Sequence, residues 1–234
     1  MIVDTPRPLR PLSHVTDWVF DLDNTLYPRT SNLFAQIDIL ITHYVMGVTR
    51  LDFAAARALQ KGYYRDFGTT LNGLMHEHAI DPDHFLDTVH AIDYSPVDAH
   101  PELVDLIRAL PGRKFILTNG DVNHARAVLK RLGGDDLFEH VYDIRAMAYV
   151  PKPHEAAYQG FLTQHGVDPR TAVMFDDLEK NLLVPHQLGM ATVQVVAGPD
   201  FAHEQVDAWE LGRTSESHVH HVTEDLAHFL RSLR

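Results

Sequence analysis

The amino-acid sequence predicts an α/β protein: a mostly parallel sheet covered by helices on both faces, with a small helical unit inserted after the first strand. Short apolar runs recur, each of the main ones ending in a loop rich in acids, amides or hydroxyls, as buried parallel strands do where they deliver polar groups at their carboxyl ends. After residue 100 these runs alternate with helical patterns that have recognisable start and stop residues. Residues 28–95, by contrast, hold helix signals and no convincing strand.

Val15–Phe20 opens the series and enters Asp21-Leu22-Asp23-Asn24-Thr25. Behind Ser31 or Asn32 as a cap, Leu33, Ile37, Leu40, Ile41, Tyr44, Val45 and Val48 follow helical spacing, and Asp81-Pro82 opens a further helix. The chain returns to the sheet near Pro96, so 28–95 is predicted as a cap lying over the strand ends, with 1–27 and 96–234 as the core domain. Lys114–Leu117 enters Thr118-Asn119-Gly120-Asp121, and Asp121 caps a helix that stops at Gly133. Ala172–Phe175 enters Asp176-Asp177, while Val141–Ile144 and Ala191–Val196 are strands without such polar ends. Pro153–His165 stops at Gly166 and Leu178–Leu188 at Gly189, both as helices; Gly198-Pro199-Asp200 marks a loop before a less regular C-terminal stretch.

Twenty Lys and Arg stand against 32 Asp and Glu among 234 residues, a formal net charge of −12 at pH 7. Such a surface repels polyanions, so neither a nucleic-acid polymer nor an anionic membrane is an expected partner. There is no cysteine, which removes disulfides, thiolate metal sites and a cysteine nucleophile together. The first ten residues carry prolines and charges rather than a signal-like apolar stretch, and no run approaches the ~18 apolar residues of a membrane span, so a cytoplasmic location is expected. Histidines are scattered; His218, His220 and His221 lie in a polar stretch and are taken as solvated rather than as metal ligands.

Four polar strand ends and loops carry the candidate chemistry. Asp21 and Asp23, separated by one residue, can present one carboxylate for attack and one for proton transfer, although Asp-x-Asp-x-Thr is also an ordinary turn pattern. Thr118 and Asn119 offer a hydroxyl and backbone amides suited to phosphate oxygens, and Lys152, between Pro151 and Pro153, offers a positive charge on a restricted backbone. Asp176-Asp177 supplies hard oxygen ligands of the kind Mg²⁺ requires. Each motif alone has a bland alternative; four in this order at element boundaries do not share one.

Together, Phe20-Asp-Leu-Asp-Asn-Thr-Leu-Tyr27, Leu117-Thr-Asn-Gly120, Val150-Pro-Lys-Pro153 and Met174-Phe-Asp-Asp177 resemble the four motifs of the haloacid dehalogenase (HAD) superfamily. That resemblance implies a modified Rossmann-like core with a four-helix cap of the first (C1) cap class. It also implies that Asp21 attacks phosphorus, that Asp23 protonates the leaving oxygen and then helps activate water, and that Lys152 offsets negative charge. Thr118 and the Asn119 amide would bind phosphate, and Mg²⁺ would be held by Asp21, the Asp23 backbone carbonyl and Asp177. Counting back from Leu188-Gly-Met190 places Asp177 at the usual metal aspartate; whether Asp176 or Asn181 also contacts the metal stays open.

Dehalogenases of the superfamily lack the second acid, so Asp23 favours phosphoryl transfer. Asp-Leu-Asp-Asn-Thr-Leu-Tyr-Pro and the stretch from Val150 through Leu182 are most similar to the pyrimidine 5'-nucleotidase group, which implies a nucleoside monophosphate as substrate. A sugar-phosphate or phosphoglycolate-type phosphatase, a phosphomutase and a non-catalytic phosphometabolite-binding regulator are the alternatives. In the insert, Tyr63, Tyr64 and Phe67 offer either a base-stacking surface or helix packing, and packing is the commoner use of such spacing.

Overall fold

Asp17–Phe20 (β1), Arg113–Leu117 (β2), His140–Tyr142 (β3), Ala172–Asp176 (β4), Ala191–Val195 (β5) and His221–Thr223 (β6) form one sheet. Its order is β3-β2-β1-β4-β5-β6 and every pairing is parallel. The structure, a computed structural model, describes residues 10–198 and 217–233, so most of the loop expected at Gly198-Pro199-Asp200 lies outside the described residues. The chain divides into two units, one formed by the chain up to Pro28 and from Ala99 onward, the other by Arg29–Asp98.

All residues of β1, β4 and β5 are buried, which explains why β1 from Trp18 and β4 up to Phe175 read as continuous apolar runs; in β5 the buried Thr192 and Gln194 alternate with apolar residues. Residues paired across parallel strands share a face. Phe20 is level with Phe175, their rings stacking at 4.5 Å, and Phe229 of the helix Leu226–Arg231 meets the edge of Phe175. Val19 is level with Phe115 and Met174 on the opposite face, where Phe161 of the helix Glu155–His165 packs against Phe115. Helices on both faces thus seal the sheet, as the alternation of elements predicts.

In chain order the helices of the sheet unit are Pro101–Arg108, Val122–Leu132, Glu155–His165, Leu183–Leu188 and Leu226–Arg231. Asp121 caps the second by accepting from His124 N at 2.7 Å, and Gly133, at φ 84°, ends it. The expected helix Leu178–Leu188 is instead a 3-10 turn over Glu179–Leu182 followed by the helix from Leu183. Pro185 has no amide hydrogen to donate, so it fits the first turn of a restarted helix but not the middle of a continuous one.

The second unit contains four helices, α1 (Leu33–Thr49), α2 (Phe53–Phe67), α3 (Thr70–His78) and α4 (Pro82–Val89). Asp52, Thr69 and Asp81 each accept a backbone amide at the start of α2, α3 and α4. Its apolar centre includes Ile37, Val45, Tyr63, Leu74 and Phe85. Asp38 is buried there as well, accepting from Gln60 Nε2 at 2.6 Å and pairing with Arg57 at 2.7 Å. Tyr63 is a packing residue: its ring lies against Phe67 and His78, and a Cβ on Gly73 would fall 2.3 Å from it.

The C-terminal histidines correct the sequence-based expectation. His218 and His220 are buried, not solvated. Thr192 N of β5 donates to His220 Nδ1 at 3.1 Å, Thr192 Oγ1 donates to the His218 carbonyl at 2.6 Å, and His218 pairs with Glu179. These bonds hold β6 beside β5; a three-residue polar strand gave no apolar pattern to find. Burial, aided by His186 and Arg10, pushes the His220 pKa down from 6.5 to about 4. A ring nitrogen that accepts from a backbone amide must stay unprotonated.

Between pH 6.5 and 4 the unfolded His220 binds a proton that the folded one refuses, so this residue's contribution to stability is present above pH 6.5 and is lost as pH falls towards 4. Denaturation midpoints measured across that window are expected to fall on acidification, and less so in His220→Asn, which keeps an acceptor without titrating. Just before β2, Gly112 has φ +76° and approaches Thr16, whose carbonyl oxygen would lie 2.1 Å from an added Cβ. Gly112→Ala is expected to destabilise the protein by about 2 kcal/mol or more, read as a lower midpoint in urea.

Candidate active site

β1 lies between β2 and β4, so the chain leaves it in one direction and crosses to its other side later. Such a switch point opens a crevice at the carboxyl ends of the strands. Register brings three of the sequence-predicted loops to this place. Phe20 pairs with Ile116 and with Phe175, putting Asp21 level with Leu117 and Asp176, and Asp21 N continues the ladder by donating to Phe175 O at 2.8 Å. Thr118 N does the same to Tyr142 O at 3.1 Å.

Lys152 ties these ends together. Its Nζ donates to Asp21 Oδ1 at 2.8 Å and to Asp176 Oδ2 at 2.6 Å, all three side chains being buried. Burial works against the ammonium, yet Asp176 and Asp21 outweigh it and hold the Lys152 pKa above the usual lysine value. The Lys152 backbone is fixed by Asn119, whose side chain donates to Lys152 O at 3.1 Å and accepts from Lys152 N at 2.8 Å. Asn119 thus uses both ends of its side-chain amide to clamp the lysine backbone. Asp176 Oδ1 takes Leu178 N and Asn181 Nδ2, both at 2.9 Å, so with Lys152 on Oδ2 this carboxylate accepts three donors.

Asp177 follows at the end of β4, its carbonyl accepting from Gln194 Nε2 at 3.2 Å. Asp23 Oδ1 receives two groups, the Tyr27 hydroxyl at 2.5 Å and His124 Nε2 at 2.7 Å. Burial and the neighbouring Asp23 push the Tyr27 pKa well above the usual phenol value, so its hydroxyl remains a donor. His124 is buried, which disfavours its charge, but Asp23 more than compensates and its pKa is raised. Thr118 Oγ1 accepts from Gly120 N at 3.0 Å, closing the turn beside Asp23. Thr25 donates to Asp21 Oδ2 at 3.3 Å.

The haloacid dehalogenase-like hydrolase family matches residues 19–189, a span that includes all of these groups except Gln194. The chain belongs to that family. Among individual relatives, it is 26% identical over 209 residues to Phosphate metabolism protein 8 of Saccharomyces cerevisiae, covering 82% of this chain and 64% of that protein. The chain thus spans less than two thirds of that relative's length. Similar solved structures include a HAD phosphatase from Thermococcus onnurineus, at TM-score 0.60 and 16% identity over 94% of this chain and 97% of that one. L-2-haloacid dehalogenase from Xanthobacter autotrophicus, with chloropropionic acid covalently bound, gives TM-score 0.58 and 18% identity over 94% and 98% of the two chains. At such identities these structures establish the HAD fold and nothing about the substrate.

Sequence reasoning placed Asp21, Asp23, Thr118, Asn119, Lys152, Asp176 and Asp177 but passed over Tyr27, His124 and the Asn119 clamp. Tyr27 stands inside the first motif and His124 three residues after the helix cap Asp121. Only the second of these positions has a local signal, since the first turn behind a cap faces the same strand ends.

Among the described residues, the group whose acidic or imidazole ligand atoms approach closely enough to share a cation is Asp21, Asp176 and Asp177, all buried and within 4.8 Å of one another. One ammonium does not balance three carboxylates. Burial raises the Asp21 pKa to about 7 against the opposing pull of Lys152, with Asp176 and Asp23 adding to the rise. Asn181 Oδ1 is buried beside this group without a hydrogen-bond partner. Hard oxygen donors with unbalanced negative charge fit a hard divalent cation. Titrating MgCl₂ into the protein is expected to raise Tm, and Asp21→Asn or Asp177→Asn to remove most of that shift; at 100-fold excess over Kd the gain is about 2.7 kcal/mol.

Proposed function

We propose that this protein is a Mg²⁺-dependent phosphomonoesterase that works through phosphorylation of Asp21, with Asp23 as acid and base and Lys152 as the fixed positive charge. The observation that carries this is Asp23: a second carboxyl two residues after the nucleophile, held by two hydrogen-bonding side chains, has a use where an alkoxide must be protonated and none in displacing a halide. Among the described residues no helix is long and apolar enough to cross a membrane, and a small phosphorylated metabolite is the substrate class that fits.

Lys152 holds Asp21 Oδ1 in place and offsets its charge as the dianionic phosphoryl group arrives. Asp21 then forms a bond to phosphorus while the ester P–O bond breaks, and the departing oxygen takes the proton of Asp23. Asp23, now a carboxylate, accepts a proton from water, whose oxygen attacks phosphorus and returns the bonding pair to Asp21. Thr118 and the backbone at Asn119 bind phosphate oxygens. Mg²⁺ held by the Asp21 and Asp177 carboxylates and the Asp23 carbonyl would add the charge that lets an anionic nucleophile approach an anionic ester. Asp176 acts through Lys152, whose ammonium it anchors.

The finer reading is a pyrimidine nucleoside 5'-monophosphatase of the cytoplasm, supported by the similarity of Asp21–Pro28 and Val150–Leu182 to that group. With Mg²⁺ present, the native protein is expected to release phosphate from nucleoside monophosphates, fastest from UMP and CMP. Asp21→Asn should reduce this by at least about 10³-fold, because no alternative nucleophile stands in its place. A phosphate-release assay over nucleotides and sugar phosphates, with and without chelator, checks both statements; turnover independent of Asp21 would refute the mechanism, and a preference for sugar phosphates the substrate.

A further inference from the structure

Resting on the phosphomonoesterase reading, we infer that His124 and Tyr27 are positioning residues that dictate which oxygen of Asp23 delivers the proton to the leaving group. Both groups converge on Oδ1: the Tyr27 hydroxyl donates at 2.5 Å, and His124 Nε2, at 2.7 Å, donates in its Nε2–H tautomer. An oxygen that accepts two hydrogen bonds is a poor seat for a proton, so the carboxyl proton is carried by Oδ2. Oδ2 lies on the side of the Thr118–Gly120 turn, 3.6 Å from where a Gly120 Cβ would stand, and the same point is 3.3 Å from Thr118 Oγ1. The proton is thereby placed on the side of the turn assigned to phosphate.

The two positioning side chains are themselves held. His124 is buried in the first turn of the helix Val122–Leu132, its backbone amide bonded to Asp121, and Asp121 pairs with Arg145 at 3.1 Å. Tyr27 is buried at the end of the loop that begins with Asp21. A carboxyl turned from this orientation would present the wrong oxygen. As Asp21 bonds to phosphorus and the ester P–O bond breaks, the departing oxygen takes the Oδ2 proton and Asp23 is left as a carboxylate whose charge the two donors stabilise. The proton lost by Asp23 is the one gained by the departing oxygen, so the transfer balances within the chain and substrate.

A purely structural role would depress all substrates alike, whereas delivery of a proton matters most for a poor leaving group. The test compares kcat/KM with Mg²⁺ for 4-nitrophenyl phosphate, phenyl phosphate and UMP, since kcat/KM contains the steps through departure of the alcohol and excludes hydrolysis of the phosphorylated enzyme. In Tyr27→Phe and His124→Phe the ratio of kcat/KM for UMP to that for 4-nitrophenyl phosphate is expected to fall about tenfold or more, and in His124→Gln, which restores a donor, to stay within about threefold of the native ratio. Tyr27→Phe removes one hydroxyl and keeps the ring, so it tests the inference even if His124→Phe does not fold. An equal loss on all three esters, no loss, or His124→Gln behaving like His124→Phe overturns the inference while the phosphatase reading stands. A native protein inert towards all three overturns that reading and the inference with it.

Discussion

An ammonium group is expensive to bury unless anions surround it, and Lys152, at 2% exposure, has carboxylates at 2.8 and 2.6 Å. Those carboxylates come from the ends of two adjacent strands, β1 and β4, while the side chain that clamps the lysine backbone follows a third, β2. The ion pairs therefore require the strand order, the register and the turn after β2 to be right at once. Removing both carboxylates would leave the ammonium buried without a partner, a change that costs about 3–5 kcal/mol in comparable sites. The same arrangement leaves excess negative charge, which makes room for a cation electrostatically.

What the sequence makes legible follows from range. β1, β4 and the last three residues of β2 are buried and largely apolar, and each strand ends in the acids or amides that do the work, so strand and site announce each other within a few residues. The helix from Val122 to Leu132 carries its own cap and stop. β6 is three residues long, contains a histidine, and exists because Thr192 bonds the two preceding histidine residues. No local pattern encodes that. Likewise, His124 meets Asp23 across 101 positions of chain, and Asn119 meets Lys152 across 33. Motifs name the groups that react; the groups that aim them are visible only once the sheet has brought distant segments together.

Two polar clusters in the protein solve the same problem with different consequences. In the helical unit Asp38 is buried with Gln60, Thr42 and Arg57 near it, a set of short polar bonds that fixes α1 against α2. There a carboxylate meets a guanidinium and an amide, with Lys61 also within 3.7 Å. At the strand ends carboxylates outnumber ammonium groups. The first kind of cluster specifies packing, while the second stores the imbalance from which chemistry can be drawn.

The sheet is sharply tapered. Its inner strands run to four or five residues, whereas β3 and β6, the outermost among the described residues, are three residues each and contain His140 and His221. A strand that short offers a neighbouring molecule only a few backbone hydrogen bonds in register. Polar side chains further discourage a second sheet from adding to it. The taper that hid β6 from the sequence pattern is thus also a protection: a parallel core rich in phenylalanine and valine stays in the interior of one molecule instead of templating its own aggregation.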